Sequence, residues 1–335
     1  MSKTCTDPQP TKRLRTSSAG VLCRHAISGP TMGSRFSAVF FAPEETDTQH
    51  LARALAEAVA GVEAEMSTFR PDSALMRLNA QPIGTWFAAP DALFSVIETA
   101  LAVEEDTEGA FDIGVGDLVA AAGFGAHGRV PDAQRLAELS ARKWVPTRQR
   151  LELDRNRRCI RKHSAVELDL SGIAKGFGVD RLAGTLAARG ISSYLVSIDG
   201  EIRAGKGKPD ANRDEVPWLV AVENPSFDRR EVARRIGLEH VAIATSGDYR
   251  HTHVFGPRRV SHVMDPRARA PLDSSVASVT VIADACMIAD AMASGLMVLG
   301  PHAGPQKAKE LGVPALFMIR GADGHCHARA VGQNW

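Results

Sequence analysis

Between Asp47 and Met66 the apolar residues Leu51, Leu55, Val59, Val62 and Met66 recur at intervals of three and four. That spacing puts side chains on one face of an α-helix, so the pattern predicts a helix with one buried stripe, begun at Asp47. A second helix begins near Asp91, an acid able to cap it, with Leu93, Val96, Ile97 and Leu101 as its apolar face. Pro131-Asp132 opens a third. Lys175–Arg189 and Asp284–Leu299 read as two more, the first stopped by Gly190, a residue that suits the left-handed turn ending many helices. Strands are expected at Phe36–Phe41, Ser192–Ile198, Trp218–Val222, His240–Ala244, Ser278–Ile282 and Ala315–Ile319, all short runs bounded by Gly, Pro or Asp. Pro217 and Pro225 bracket one strand, and Lys206–Glu215 is a polar loop. Strands and helices do not alternate strictly, which favours an α+β class over a doubly wound sheet.

Composition narrows the function classes. Of 335 residues, 44% are hydrophobic, enough for a sizeable core. The net charge is +1 and aromatics are 5%, which argues against a nucleic-acid surface. The five cysteines are scattered and form no CxxC pair. They read as free thiols in a reducing compartment, not as a disulfide framework or a cysteine zinc site. Residues 1–25 read as a polar, mobile tail. The apolar run Ala19–Leu22 before Cys23 is too short for the core of a signal peptide, and no apolar run of about 18 residues suggests a membrane span. A cytoplasmic chain is the expectation.

Four sets of residues could carry chemistry. The first is Asp169-Leu170-Ser171-Gly172-Ile173-Ala174-Lys175-Gly176. Its glycines allow a ligand to approach the backbone, helix-start amides can hold an anion such as a pyrophosphate, and Lys175 adds positive charge. A plain strand-to-helix turn with a solvated lysine is the alternative. The second is Asp290 with Ser294, four apart in an apolar helix and so on one face. A carboxylate and a hydroxyl there suit a hard cation, or equally a surface acid and a serine bonding back to the backbone. The third is Ala244-Thr245-Ser246-Gly247-Asp248-Tyr249-Arg250 followed by Ser261-His262-Val263-Met264-Asp265-Pro266. Its hydroxyls could face phosphate, and His262 could move a proton near neutral pH. His251 and His253 lack a third ligand, which discounts zinc. The fourth is Thr31–Ser34, Met66–Ser73 with Leu78-Asn79, and Gly109–Asp112. There Phe69 and Phe111 could wall a planar ring or simply pack in the core.

Taken in this order, the four sets resemble the ApbE family of FAD:protein FMN transferases, from about Thr31 to about Gly300. The most specific pieces are DLSGIAKG at 169–176, ATSGDY at 244–249, SHVMDP at 261–266, SVTVIA at 278–283 and ADAMASGLMVLG at 289–300. The resemblance implies an ApbE-like, T-fold-related single domain over 26–330, with mixed or antiparallel sheets and flanking helices. It implies FAD held in a groove, Mg²⁺ at its pyrophosphate, and FMN passed to a threonine or serine of an acceptor protein with release of AMP. By motif position, Met32, Phe69, Ala110, Phe111, Asp112, Asp169, Lys175 and Met264 would line the FAD site. The Gly172 carbonyl and the Asp290 and Ser294 side chains would bind the metal, and His262 would be the base for the acceptor hydroxyl. Two departures stand out. Many members carry Thr at the position of Ser294, and some carry Asp at that of Ala293, so Mg²⁺ would be held more weakly here. An Mg²⁺-dependent FAD pyrophosphatase, with water replacing the acceptor, and a flavin-binding protein without turnover are the other readings.

Overall fold

The stripe on Leu51, Leu55, Val59, Val62 and Met66 is buried as one face of the helix Thr48–Met66, and Asp47 caps it by accepting from the His50 amide at 2.9 Å. The computed structural model describes residues 22–126, 130–210, 215–225, 231–248, 252–255, 258–272, 275–321, 325–333 and 335. At its centre is an eight-stranded sheet. In spatial order its strands are Leu22–Thr31, Ser34–Pro43, Tyr194–Ile198, Glu201–Ala204, Ala242–Gly247, Val276–Ala283, Ala315–Arg320 and Cys326–Val331. Every neighbouring pair runs antiparallel.

Helices Thr48–Met66, Ala174–Ala187 and Cys286–Glu310 pack on this sheet and on one another. The hairpin Trp218–Asn224 with Glu231–Leu238 packs Trp218, Val220, Ile236 and Leu238 against Ile243, Ile282 and Leu316. Those three sheet residues alternate with the positions that meet the helices, so the hairpin covers the other side. A three-stranded sheet, Trp86–Ala88, Cys159–Lys162 and Leu151–Asp154, lies with helix Asp91–Asp106 at the far end of the same core. Short helices Gly116–Ala121 and Ala133–Ser140 share a small satellite cluster with Met264.

Every expected helix and strand is present, within a class of antiparallel sheet and flanking helices. The differences have physical reasons. Asp91 is the first helical residue, and Pro90 occupies the cap position without a side-chain bond. Strand Leu22–Thr31 begins inside the segment read as tail. It and Cys326–Val331 are the sheet's edges, where many side chains face solvent and no apolar alternation marks them. The helix expected to end at Leu299 breaks at Gly300 (φ 83°, ψ −173°) and resumes through Pro301 to Glu310. Among the described residues, Cys286–Glu310 is one helix long and apolar enough to cross a membrane by length and composition. Here that apolarity is spent inside the protein, against strands Ala242–Gly247 and Val276–Ala283.

Candidate active site

The segment 169–176 closes on itself before it becomes a helix. Asp169 is buried, and its Oδ1 accepts from the Ser171 amide at 2.7 Å. The amides of Ile173 and Ala174 both donate to the Leu170 carbonyl, and the Gly176 amide donates to Asp290 Oδ2 at 3.0 Å. Four amides at this helix start are therefore committed within the protein, so the expected backbone cradle for a pyrophosphate is largely taken. Gly176 also has a different use from the one expected. A Cβ there would lie 2.4 Å from the Cys286 carbonyl oxygen and 2.7 Å from Met287 Cα, so this glycine lets two helices touch.

That contact brings Asp290 and Ser294 to the turn at Gly172. A Cβ on Gly172 would sit 3.2 Å from Phe111 Cε2 and 3.6 Å from Ser294 Oγ. Ser294 Oγ is 2.8 Å from Ser246 Oγ, at the end of strand Ala242–Gly247. Thr245, its neighbour, points to the other face of the sheet and bonds Thr280 at 2.9 Å. Strand alternation thus selects Ser246 and excludes Thr245. Ser294 and Ser246 thus meet beside the backbone of Gly172, with Asp290 four residues before Ser294 on the same helix, at the Gly176 amide.

The charge balance here is uneven. Asp290 is 5% exposed, and Lys175 Nζ bonds Glu201 while lying 3.8 Å from Asp199. Three carboxylates face one ammonium. Burial, reinforced by Glu201, pushes the Asp290 carboxyl up to about 7 against the pull of Lys175 and the Gly176 amide. Burial opposes the charge on Lys175, yet Glu201 and Asp290 hold it above the ordinary lysine range. The excess of acid, together with neutral hydroxyls, fits a hard divalent cation such as Mg²⁺. Among the described residues no group of three or more His, Cys, Asp or Glu side chains could hold a metal ion.

The residues expected on the flavin side fall in three places. Met32 (φ 48°) and Gly33 (φ 70°) form the two-residue tip between the first two strands. Glu63 steadies this tip by accepting from the Met32 amide and from Thr31 Oγ1, and Met32 Cε packs beside Gly178. Ala110, Phe111 and Asp112 are buried. Asp112 accepts from the Gly114 amide, Thr147 Oγ1 and Trp144 Nε1, at 2.7, 2.5 and 3.0 Å, so its carboxylate shapes the wall. Thr68, Met76, Gly116, Ala120, Glu167 and Asp169 line a narrow cleft. Phe69, next to Thr68, is 66% exposed. Gly172 follows Asp169 by three residues, so the backbone at the cleft and that at the glycine turn lie within about 10 Å of each other.

His262 lies beside the small satellite cluster. Its ring meets Phe124 edge-on, with centroids 6.1 Å apart, and Met264 packs against Leu118, Ala121 and Leu139. The segment is firmly held. Asp265 Oδ1 accepts from the amides of Arg267 and Ala268, and Arg269 bonds the Leu139 carbonyl and Asp117. Tyr249, Arg250 and His251 lie outside the described residues, as does the side chain of His253.

A model described as the ApbE family matches residues 32–317. The chain belongs to the ApbE family. The Vibrio cholerae protein named FAD:protein FMN transferase is 38% identical over 299 residues, covering 89% of this chain and 88% of that one. The Escherichia coli K12 protein of the same name is 30% identical over 316 residues, covering 93% and 87%. The solved structure of the Vibrio cholerae flavin transferase ApbE superposes with a TM-score of 0.81 at 35% identity, over 92% of this chain and 97% of that one. The apo Pseudomonas stutzeri flavinyl transferase ApbE gives 0.80 at 31%, over 97% and 96%. With ApbE membership shown, the residues that sequence reasoning missed stand out: Ser246 as a partner of Ser294, and Glu201 as the partner of Lys175. Asp199-Gly200, a dipeptide typical of two-residue hairpins, was the available signal for Glu201, because it turns the chain back at that point.

Proposed function

We propose that this chain is an FAD:protein FMN transferase, dependent on Mg²⁺, that moves FMN from FAD to a threonine or serine of an acceptor protein and releases AMP. The observation that carries the reading is the meeting of Gly172, Asp290, Ser294 and Ser246 beside an excess of buried acid, in a chain whose relatives bear that name. Asp290, Ser294 and the Gly172 carbonyl would hold Mg²⁺, which supplies charge neutralisation on the pyrophosphate oxygens. The protein's own part is positional. Phe69 and Phe111 offer aromatic surface to the flavin, Met32 and Asp169 bound the groove, and Lys175 keeps its positive charge beside it. His262 takes the proton from the acceptor hydroxyl as that oxygen bonds the FMN phosphorus and the bond to the AMP phosphate breaks.

The test is to incubate the protein with FAD and Mg²⁺, with and without an acceptor domain carrying a candidate threonine or serine. Covalent flavin fluorescence on the acceptor with one AMP per flavin is expected. FMN and AMP formed equally fast without acceptor would make the protein a pyrophosphatase. FAD left intact under both conditions would make it a flavin-binding protein.

A further inference from the structure

The two helices that carry the oxygen cluster cap each other. Helix Cys286–Glu310 has Ala285 at its cap position, with no side-chain bond of its own. Its first amides donate instead to Asp180 of the neighbouring helix, Cys286 N to Oδ1 and Met287 N to Oδ2, each at 3.0 Å. Helix Ala174–Ala187 likewise has no cap from Ile173, and receives Asp290 Oδ2 on the Gly176 amide. Each helix thus supplies an aspartate to the open end of the other, and the Gly176 contact with Cys286 and Met287 closes the gap between them. Arg203, from strand Glu201–Ala204, bonds Asp180 Oδ1 and holds that carboxylate in place.

We infer that Asp180 is a positioning residue for the metal site: through the first turn of helix Cys286–Glu310 it sets where Asp290 and Ser294 stand. This rests on the proposed Mg²⁺ site. The lever is short, because Asp290 follows Cys286 by four residues, about 6 Å along the axis. Both oxygens of Asp180 are used, so the side chain fixes the direction of the helix as well as its end. Without it the first-turn amides lose their acceptors, the turn frays, and Asp290 begins a loosened segment. Residues that orient metal ligands in this way typically change metal affinity by roughly 10–100-fold when removed.

The test uses the full chain, freed of metal, with Mn²⁺ as the probe and free Mn²⁺ read by electron paramagnetic resonance. The wild type is expected to show one site that Asp290→Ala abolishes. Asp180→Ala should weaken that site by roughly 10–100-fold, and Asp180→Asn, which keeps one acceptor oxygen, should fall between the two. Melting temperatures of the metal-free proteins accompany each titration. An Asp180→Asn protein, or a folded Asp180→Ala protein, with wild-type Mn²⁺ affinity and only a lowered melting temperature would overturn the inference and leave Asp180 as scaffold. Absence of any Asp290-dependent site in the wild type would instead remove the Mg²⁺ reading, and the inference with it.

Discussion

Gly176 and Gly184 lie on the same helix, and their replacement by alanine makes a paired experiment. At Gly184 an added Cβ meets nothing within 4 Å, whereas at Gly176 it meets the Cys286 carbonyl oxygen at 2.4 Å and Met287 Cα at 2.7 Å. Ordinary contact begins near 3.4 Å, so the two helices must part by about 1 Å. Backbone cannot swing aside as a side chain can, which puts the cost at the upper end of the usual overpacking range, about 3 kcal/mol. Alanine also gains about 1 kcal/mol of helix propensity over glycine, and this gain is common to both positions. Gly184→Ala should therefore be neutral or slightly stabilising, and the difference between the two variants reports the clash alone. That difference corresponds to a gap of roughly 4 °C in melting temperature for a chain of this length. The same displacement moves Asp290 away from the Gly176 amide, so Gly176→Ala should also need more Mg²⁺ for half-maximal transfer. Calorimetric melts without metal and Mg²⁺ titrations of the rate are the assays. Equal melting temperatures for the two variants would refute the close-contact argument outright.

Three further outcomes follow from the site. His262→Ala should lower the transfer rate by about 10²–10⁴-fold, the usual worth of a general base, with FAD affinity measured by fluorescence unchanged; lost binding would recast His262 as a ligand contact. Burial first, then the nearby Asp112, pushes the Glu104 carboxyl from an ordinary 4.5 up to about 7, against the pull of Arg148. Its folded value exceeds its unfolded one, so its contribution to stability is full below about pH 4.5 and is lost as pH rises through about 7. Denaturant melts from pH 4 to 8 should show this slope in the wild type and a flatter one in Glu104→Gln; parallel curves would count against it. Trp144→Ala should loosen the turn at Gly109, whose Cα faces the indole, and weaken FAD binding more than it lowers the melting temperature; the reverse order would make Trp144 a core residue only.

The parts of the fold legible in the sequence are those where burial imposes a period. Leu51, Leu55, Val59, Val62 and Met66 gave away their helix because each is buried on one face. Asp132 was readable as a cap, and it accepts from the Arg135 amide. Gly190 was readable as a helix stop, and it has φ 74°. The strand Glu231–Leu238 was not, because six of its eight side chains are exposed and they carry no alternation. At the site, Asp290 and Ser294 were legible from their four-residue spacing, which needs only local geometry. What they meet was not. Ser246, Glu201 and Asp180 reach the site across 48, 26 and 106 residues of sequence, through Ser294, Lys175 and Cys286 respectively, and no local period records such pairings. The glycine turn misled in a specific way. Its composition announced close approach and free amides, and only the packing shows that the approach is to another helix and that the amides are taken.

The mutual capping of two helices has a consequence for how activity is acquired. Gly176 and Asp290 are 114 residues apart in sequence, and Asp180 and Cys286 are 106 apart. Loops of that size must close before either end is satisfied, and long-range closures of this kind come late and slowly in folding. The residues before Cys286 cannot form the oxygen cluster alone. A nascent chain that stops short of residue 286 carries the glycine turn but neither Asp290 nor Ser294. The cluster is completed only by the segment from residue 286 onward.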